Sequence, residues 1–142
     1  MRWLMAIGAA AGLVLVNAGH AADLEVTITG VRSAGGVVRL ALYDRAEGFA
    51  TEEAVAAAQV VPAARGAVRA VFEGLGAGIY AIAAYHDEDN DDKFDRFLLI
   101  PREGYGFSND VRPGLRAPTF DEAAFNVPPG GIAVSFAFSG AT

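Results

Sequence analysis

The chain has no cysteine, and only two of its 142 residues are histidines, His20 and His86. Without cysteine it has no disulfide, no thiol nucleophile and no cysteine-ligated zinc, so a hydrophobic core has to supply its stability. It also has no basic cluster, and its formal net charge is −6, which argues against nucleic-acid binding and against anionic membrane surfaces. Phosphate-binding glycine loops and Gly-x-Ser-x-Gly elbows are missing as well.

The first residues have the composition of an export signal. Arg2 precedes an apolar stretch over residues 3–16, and mostly small residues follow up to Ala22. A positive start, a short apolar segment and small residues at a cleavage point are the parts of a secretory signal peptide. The apolar stretch is short for a membrane span, so an uncleaved anchor is the less favoured alternative. We predict a signal peptide over residues 1–21, one domain over residues 22–142 and a periplasmic or secreted location, with no membrane span in the mature chain.

Alternation of apolar and polar residues predicts β-strands along most of this domain. The clear segments are residues 24–29, 37–43, 67–72, 78–85 and 132–138, and short apolar pieces at 59–61, 97–100 and 125–127 are candidates for further strands. Residues 78–85 are almost wholly apolar, which predicts a strand buried on both faces. Short strands and glycine-rich turns favour an all-β fold, an immunoglobulin-like or prealbumin-like antiparallel β-sandwich of about seven strands.

Two segments carry helix-start signals. Thr51 precedes two glutamates and several alanines, which predicts one or two short helical turns within residues 51–58. Thr119-Phe120-Asp121-Glu122 matches a capping box, so a single turn is predicted to start at Thr119. Neither segment is expected to form a core helix.

The most acidic segment, His86-Asp87-Glu88-Asp89-Asn90-Asp91-Asp92-Lys93-Phe94-Asp95, directly follows a predicted strand. Calcium loops of the EF-hand kind take side-chain oxygens from positions one, three and five, a backbone carbonyl from seven, and an oxygen or a bridging water at nine. The residues at those positions are Asp87, Asp89, Asp91, Lys93 and Asp95. Crowded carboxylates oppose folding unless a cation lies among them. The spacing therefore predicts a Ca²⁺ site.

Two positions depart from the calcium-loop pattern. Asp92 stands where the loop normally has glycine, and Leu98 stands where it normally has a bidentate glutamate. A missing ligand would have to come from elsewhere, and Glu103, Asn109 and Asp110 are close enough in sequence to be considered. We therefore expect weak binding, with a Kd of about 10⁻⁴–10⁻³ M. The alternative is a solvated acidic loop that binds nothing.

Catalytic signals are weak. His86 is the only histidine after the predicted signal peptide, and no nucleophile is defined beside it, so a structural role at the end of the strand is favoured. Ser108 does not stand in a nucleophile elbow. Paired carboxylates of a hydrolase remain open, because spacing in sequence cannot show a pair held about 5–9 Å apart.

Residues 103–109, Glu-Gly-Tyr-Gly-Phe-Ser-Asn, place aromatic residues between glycines. The favoured interpretation is that Tyr105 and Phe107 pack at the sandwich edge, because burial is the commoner use of aromatic rings. The alternative is a ligand-binding loop of Tyr105, Phe107 and Asn109, in which exposed rings stack on a sugar or a peptide.

Three segments taken together resemble a known family. They are Gly30-Val31-Arg32 through Val38-Arg39-Leu40-Ala41-Leu42-Tyr43, Gly78-Ile79-Tyr80-Ala81-Ile82 leading into His86-Asp87-Glu88, and residues 103–109. The chain resembles the exported bacterial proteins known as domain of unknown function 2141, whose members look like small β-sandwiches with a His-Asp-Glu-Asn-Gly-Asn-Gly-Lys-Leu-Asp loop. Asp92 replaces a glycine of that loop. The resemblance implies the fold and the loop, and it assigns no reaction.

The sequence thus predicts an exported, non-enzymatic β-sandwich with a weak calcium loop, acting as a binding or accessory module at the cell envelope. The partner would be an envelope protein or a glycan, and nucleic acid is not expected. The alternatives are an envelope hydrolase with paired carboxylates and a soluble accessory domain without metal. Two carboxyls facing each other in a pocket, one with a raised pKa, would favour the hydrolase.

Overall fold

A computed structural model describes residues 21–90, 104–114 and 116–139, and every structural statement below concerns these residues. They form eight strands, β1 (Ala21–Val31), β2 (Val37–Tyr43), β3 (Ala57–Pro62), β4 (Gly66–Gly76), β5 (Gly78–Asp87), β6 (Tyr105–Phe107), β7 (Phe125–Val127) and β8 (Ile132–Ala137). Helical structure within the described ranges consists of 3-10 turns at Glu52–Ala54 and Ser108–Asp110 and one short α-helix, α1 (Phe120–Ala123). None of the described helices is long and apolar enough to cross a membrane.

The strands form two sheets. The smaller sheet has the order β8-β1-β4, and the larger has the order β3-β2-β5-β6, with β7 paired to the start of β5. This arrangement confirms the predicted all-β sandwich, with eight strands rather than about seven. All pairs are antiparallel except β8 with β1, where Ile132 lies opposite Leu24 and the strands run parallel. The predicted antiparallel pairing holds for the other described strand pairs but not for this one, because a period of two indicates a strand but not the direction of its partner.

The main core lies between the two sheets. Alternate residues of each strand point inward, as a period of two requires, and the buried set includes Leu24, Val26, Ile28, Val38, Leu40, Leu42, Phe72, Ile82 and Phe136. Each large apolar side chain buried in this way contributes about 1.5–3 kcal/mol. This core is the source of stability that a chain without disulfides needs.

A second layer covers the outer face of the larger sheet. We call it the outer cluster, and its buried members are Ala41, Tyr43, Ala81, Ala83, Tyr85, Phe107, Phe120 and Ala123. Phe49 packs edge-on against two of them, with ring centroids 5.1 Å from Tyr43 and 6.0 Å from Phe120. Strand β5 is therefore buried on both faces over residues 81–87, which confirms the prediction for most of the 78–85 segment but not for its start, where Ile79 is exposed.

The outer cluster also corrects the expectation for the segment at Thr119. Its turn of helix is confirmed, but Phe120 and Ala123 are buried in the outer cluster, so α1 does contribute to a core. A helix of four residues is too short to show an apolar period in the sequence, because only two of its positions face inward.

The other predicted elements have mixed outcomes. In residues 51–58 a single 3-10 turn forms at Glu52–Ala54, and β3 then begins at Ala57, so two of the alanines predicted as helix, Ala57 and Ala58, pair with β2 instead. Pairing with a neighbouring strand overrides their helix propensity. The short strands predicted at 59–61 and 125–127 are confirmed within β3 and β7, whereas the one at 97–100 lies outside the described residues.

Candidate functional site

The acidic segment leaves the sandwich at the end of β5, and this end is tightly enclosed. Val37 of β2 pairs with Asp87, and the turn that leads into β2 lies against the backbone of Asp87 and Glu88. Gly36 in this turn has φ +70°, and an added Cβ would lie 2.1 Å from the Asp87 carbonyl oxygen. Only glycine fits such a close approach, so the Gly35-Gly36 pair fixes where the acidic segment begins.

Asp87, the last residue of β5, is bound by an arginine of the neighbouring strand. Its side chain is 0% exposed, and Arg39 Nε donates a hydrogen bond of 2.7 Å to Asp87 Oδ2. Arg39 Nη2 donates another of 2.8 Å to Asn90 Oδ1, one turn further on. Asn90 has φ +56°, which asparagine tolerates better than most residues, and its N–H donates to the Asp87 carbonyl at 3.3 Å. One guanidinium thus holds the strand end and the following turn together.

Glu88 is bound in the same way by an arginine just after β1. Arg32 donates from Nε and Nη2 to the two carboxylate oxygens at 2.9 and 2.8 Å, and Ser33 Oγ donates at 3.2 Å. The hydrogen bonds and charge of Arg32 lower the pKa of Glu88 to about 2. The first two carboxylates of the acidic segment are therefore balanced by arginines of the sandwich itself.

His86 ties the strand end to the same glycine turn. It is fully buried, and its Nε2 lies 2.7 Å from the carbonyl oxygen of Gly35, so the ring donates through Nε2–H. Its Nδ1 has no hydrogen-bond partner among the described residues and lies 3.9 Å from Glu88 Oε2. The cavity beside the ring is about 50 Å³, which is far below the size of an ordinary ligand pocket. These contacts support the structural role predicted for His86.

The glycine-flanked aromatic segment forms β6, which pairs with β5 so that Tyr105 lies opposite Tyr85 and Phe107 lies opposite Ala83. Phe107 is 1% exposed within the outer cluster, so its ring is not available to stack on a ligand. The burial of Phe107 agrees with the packed interpretation, whereas Tyr105 is partly exposed, and the ligand-binding loop stays a prediction. An added Cβ at Gly106 would lie 2.8 Å from the carbonyl oxygen of Ala137, so glycine is needed where β6 passes the end of β8.

The three residues after β6 use their side chains to join separate elements. Ser108 Oγ accepts from Ile82 N–H at 2.9 Å and donates to the carbonyl oxygen of Ala123 at 2.6 Å. Asn109 Nδ2 donates to the carbonyl oxygens of Glu122 and Ala124, and Asp110 Oδ1 accepts from Ala137 N–H at 2.8 Å. A Ser-Asn-Asp run just after a strand is a signal for such bonds to the backbone, because these side chains readily replace regular pairing.

Helix α1 is held by a complete capping box. Glu122 N–H donates to Thr119 Oγ1 at 3.2 Å, and Thr119 N–H donates to Glu122 Oε1 at 2.9 Å, which confirms the predicted motif. Arg116 forms a two-pronged ion pair with the same carboxylate, with distances of 3.1 and 2.9 Å. These contacts connect α1 to the loop before it.

A comparison with protein families shows which family the chain belongs to. A family model described as an uncharacterized protein conserved in bacteria (DUF2141) matches residues 26–134. The chain belongs to this family. Comparisons with curated proteins and with solved structures gave no match. The resemblance drawn from the sequence is therefore confirmed, and the match spans both sheets, the acidic segment and the glycine-flanked aromatic segment.

In this DUF2141 domain only part of the predicted calcium site can be placed. Asp87 and Asp89 are described, whereas Asp91, Lys93, Asp95 and Glu103 lie outside the described residues. Within the described ranges, no three His, Asp or Glu side chains are grouped closely enough to hold a metal ion. Asp87 Oδ2 is already engaged by Arg39, and Asn109 and Asp110, considered as sources of a further oxygen, are engaged by the backbone.

Glu122 makes the stability of the domain depend on pH in a predictable direction. Hydrogen bonds from Arg116 and Thr119 lower its pKa to about 2, below the ordinary value of 4.5. A carboxyl with a lowered folded pKa stabilises the fold above the unfolded pKa, and this contribution is lost as the pH falls from about 4.5 towards 2. We expect Glu122→Gln to reduce the urea midpoint at pH 7 and to have little effect near pH 2. An equal loss at both pH values would contradict this account. Arg116→Gln should show most of the same pattern, with a lower urea midpoint at pH 7 and little change near pH 2.

Proposed function

We propose that the protein is an exported, non-enzymatic binding or accessory module of the bacterial cell envelope, and that its acidic loop, residues 87–95, binds Ca²⁺ weakly. The supporting observation is the rigid origin of this loop. It starts from a fully buried strand end that Arg39, Arg32 and the Gly35-Gly36 turn hold in place. A loop whose first turn is already fixed has less conformational entropy to lose when its remaining oxygens close on an ion.

The ion pairs at the loop's origin change which residues we propose as ligands. Asp87 would have to exchange Arg39 for the ion, so we assign it the role of anchoring the turn. The proposed donors are then the carboxylates of Asp89, Asp91 and Asp95 and the backbone carbonyl of Lys93. From Asp89 to Asp95 the sequence has four aspartates and a single cation, Lys93, so a divalent ion would offset much of this concentrated negative charge. The ion would stiffen the loop.

The non-enzymatic part of the proposal is supported by what the reactive side chains already do. Ser108 Oγ is buried and makes hydrogen bonds to two backbone segments, and His86 Nε2 donates to Gly35. The pKa values of Glu88 and Glu122 are lowered, which is the wrong direction for a general acid. A glycoside hydrolase would need a carboxyl with a raised pKa.

Calcium titration of the mature chain, followed by calorimetry, tests the ion. With a Kd of about 10⁻⁴–10⁻³ M, about 5 mM Ca²⁺ should add roughly 1–2 kcal/mol to the free energy of unfolding and raise the Tm by several degrees. Asp91→Asn should remove most of this rise. The matched control is Asp44→Asn, an exposed aspartate next to Arg45 on a different loop, which should respond as the wild type does.

Two results would reject the calcium site. The first is an equal calcium response from the wild type and from Asp91→Asn. The second is a Mg²⁺ response as large as that of Ca²⁺, because general screening of the carboxylates does not distinguish the two ions, whereas a calcium loop does.

A further inference from the structure

A wide groove lies on the loop that connects the Ser108–Asp110 turn to α1. Its volume is about 360 Å³, within the range of small-molecule sites, and it is lined by Arg112, Gly114, Arg116, Pro118 and Glu122. It does not overlap the cavity at the end of β5, which is lined by other residues. Unlike that small cavity, the groove is large enough to bind a small molecule.

The walls of the groove are tied down at both ends. On one side Asp110 accepts a hydrogen bond from Ala137 N–H of β8, and Asn109 donates to two carbonyl oxygens of the α1 segment. On the other side the capping box fixes Glu122 relative to Thr119. Two prolines, Pro113 and Pro118, further restrict the loop between these ends. A long loop with such anchoring is usually functional or well packed.

The two arginines of the groove differ in what they already bind. Five of the seven arginines in the described ranges form ion pairs: Arg32, Arg39, Arg45, Arg69 and Arg116. Arg112 is exposed and forms no ion pair or hydrogen bond in that part of the chain. In an acidic protein with net charge −6, an arginine at the edge of a groove that has no ion pair or hydrogen bond among the described residues is suited to an external anion.

We propose that this groove binds an acidic sugar, a ligand that carries a carboxylate and several hydroxyl groups. Arg112 takes the carboxylate in the two-pronged geometry that a guanidinium favours. The Arg116–Glu122 pair is neutral overall, so it does not attract a second charge, but it presents N–H donors and carboxylate acceptors side by side. Hydroxyl groups, which donate and accept at once, match this pair. The sugar ring lies along Gly114 and Pro118.

This inference rests on the proposed role as a binding module, but it does not need the calcium loop. D-Glucuronate is the probe, titrated into ¹⁵N-labelled wild type in the presence of EDTA. We expect millimolar affinity with shifts centred on residues 111–119. Arg112→Gln should weaken binding roughly tenfold or more, because a hydrogen-bonded ion pair is lost. Arg65→Gln, another exposed arginine without an ion pair in the described ranges, should bind as the wild type does.

Matched ligands separate the parts of the proposal. D-Glucose, which lacks the carboxylate, and acetate, which lacks the hydroxyls, should each bind at least about tenfold more weakly than glucuronate. The inference is overturned if glucuronate causes no shifts at tens of millimolar, if Arg112→Gln binds it as well as the wild type, or if inorganic phosphate or a free amino acid competes equally. Asp91→Asn should keep full glucuronate affinity, so loss of the calcium response and loss of sugar binding are separate results.

Discussion

Replacing Gly36 by alanine is expected to lower the free energy of unfolding by about 2–5 kcal/mol. Two costs add. The left-handed φ of +70° is unfavourable for alanine, and the new methyl would lie 2.1 Å from the carbonyl oxygen of Asp87 and 2.7 Å from that of Glu88. Both are backbone atoms at a buried strand end, so they cannot move aside as a flexible side chain would. Urea unfolding followed by circular dichroism measures the loss.

Gly74→Ala is the matched control for this experiment. Gly74 also has φ +70°, but nothing lies within 4 Å of an added Cβ. It should show the conformational cost alone, about 1–2 kcal/mol. The difference between the two variants then reports the contact between the glycine turn and the end of β5. Equal losses would mean that this contact does not constrain the loop's origin.

The sequence predicted those parts of the fold that local patterns determine. The almost wholly apolar residues 78–85 were predicted to form a strand buried on both faces, and the capping box at Thr119 was predicted from four residues. The parallel pairing of β8 with β1 was not predicted, because it joins strands more than 100 residues apart, Ile132 to Leu24. Strand direction and register between distant segments are global properties that a period of two does not carry.

In the candidate site, too, local patterns predicted the segments but not their distant partners. The acidic segment was found from its composition, but its arginine partners lie 48 and 56 residues away in sequence, and only the register of β2 with β5 brings Arg39 to Asp87. The glycine-flanked aromatic segment was recognised as unusual. Ser108 accepts from Ile82, 26 positions earlier, and donates to Ala123, 15 positions further on, while Asp110 just after the segment accepts from Ala137, 27 positions further on. No local pattern could identify these partners.

These contacts also divide the acidic segment by function. Asp87 and Glu88 are paired with arginines that belong to the sandwich, so their charges are explained by the fold itself. The aspartates from Asp89 to Asp95 are the ones we propose for the ion. Substitutions of Asp87 and Glu88 should therefore act mainly on stability, and substitutions of Asp89, Asp91 and Asp95 mainly on the proposed ion.

Arg39→Met is expected to destabilise the protein by about 3–5 kcal/mol, because it leaves the carboxylate of a fully buried Asp87 without the guanidinium that now donates to it. For a domain of this size that corresponds to a fall in Tm of roughly 10–20 °C. Chemical and thermal unfolding at pH 7 measure it. Arg69→Met, which breaks the exposed pair with Glu25, is the surface control and should cost no more than about 1 kcal/mol.

Arg39 and Asp87 differ in exposure, so replacing one should not cost the same stability as replacing the other. Asp87→Asn should cost less than Arg39→Met, because the Arg39 side chain is 20% exposed and its charge can turn towards water, whereas the carboxylate is 0% exposed. Adding Asp87→Asn to Arg39→Met should then recover part of the loss. A loss from Arg39→Met no larger than that from Arg69→Met would remove the anchoring role. If millimolar Ca²⁺ restored the stability of Arg39→Met, Asp87 would instead be a calcium ligand, because the ion would then be replacing the guanidinium.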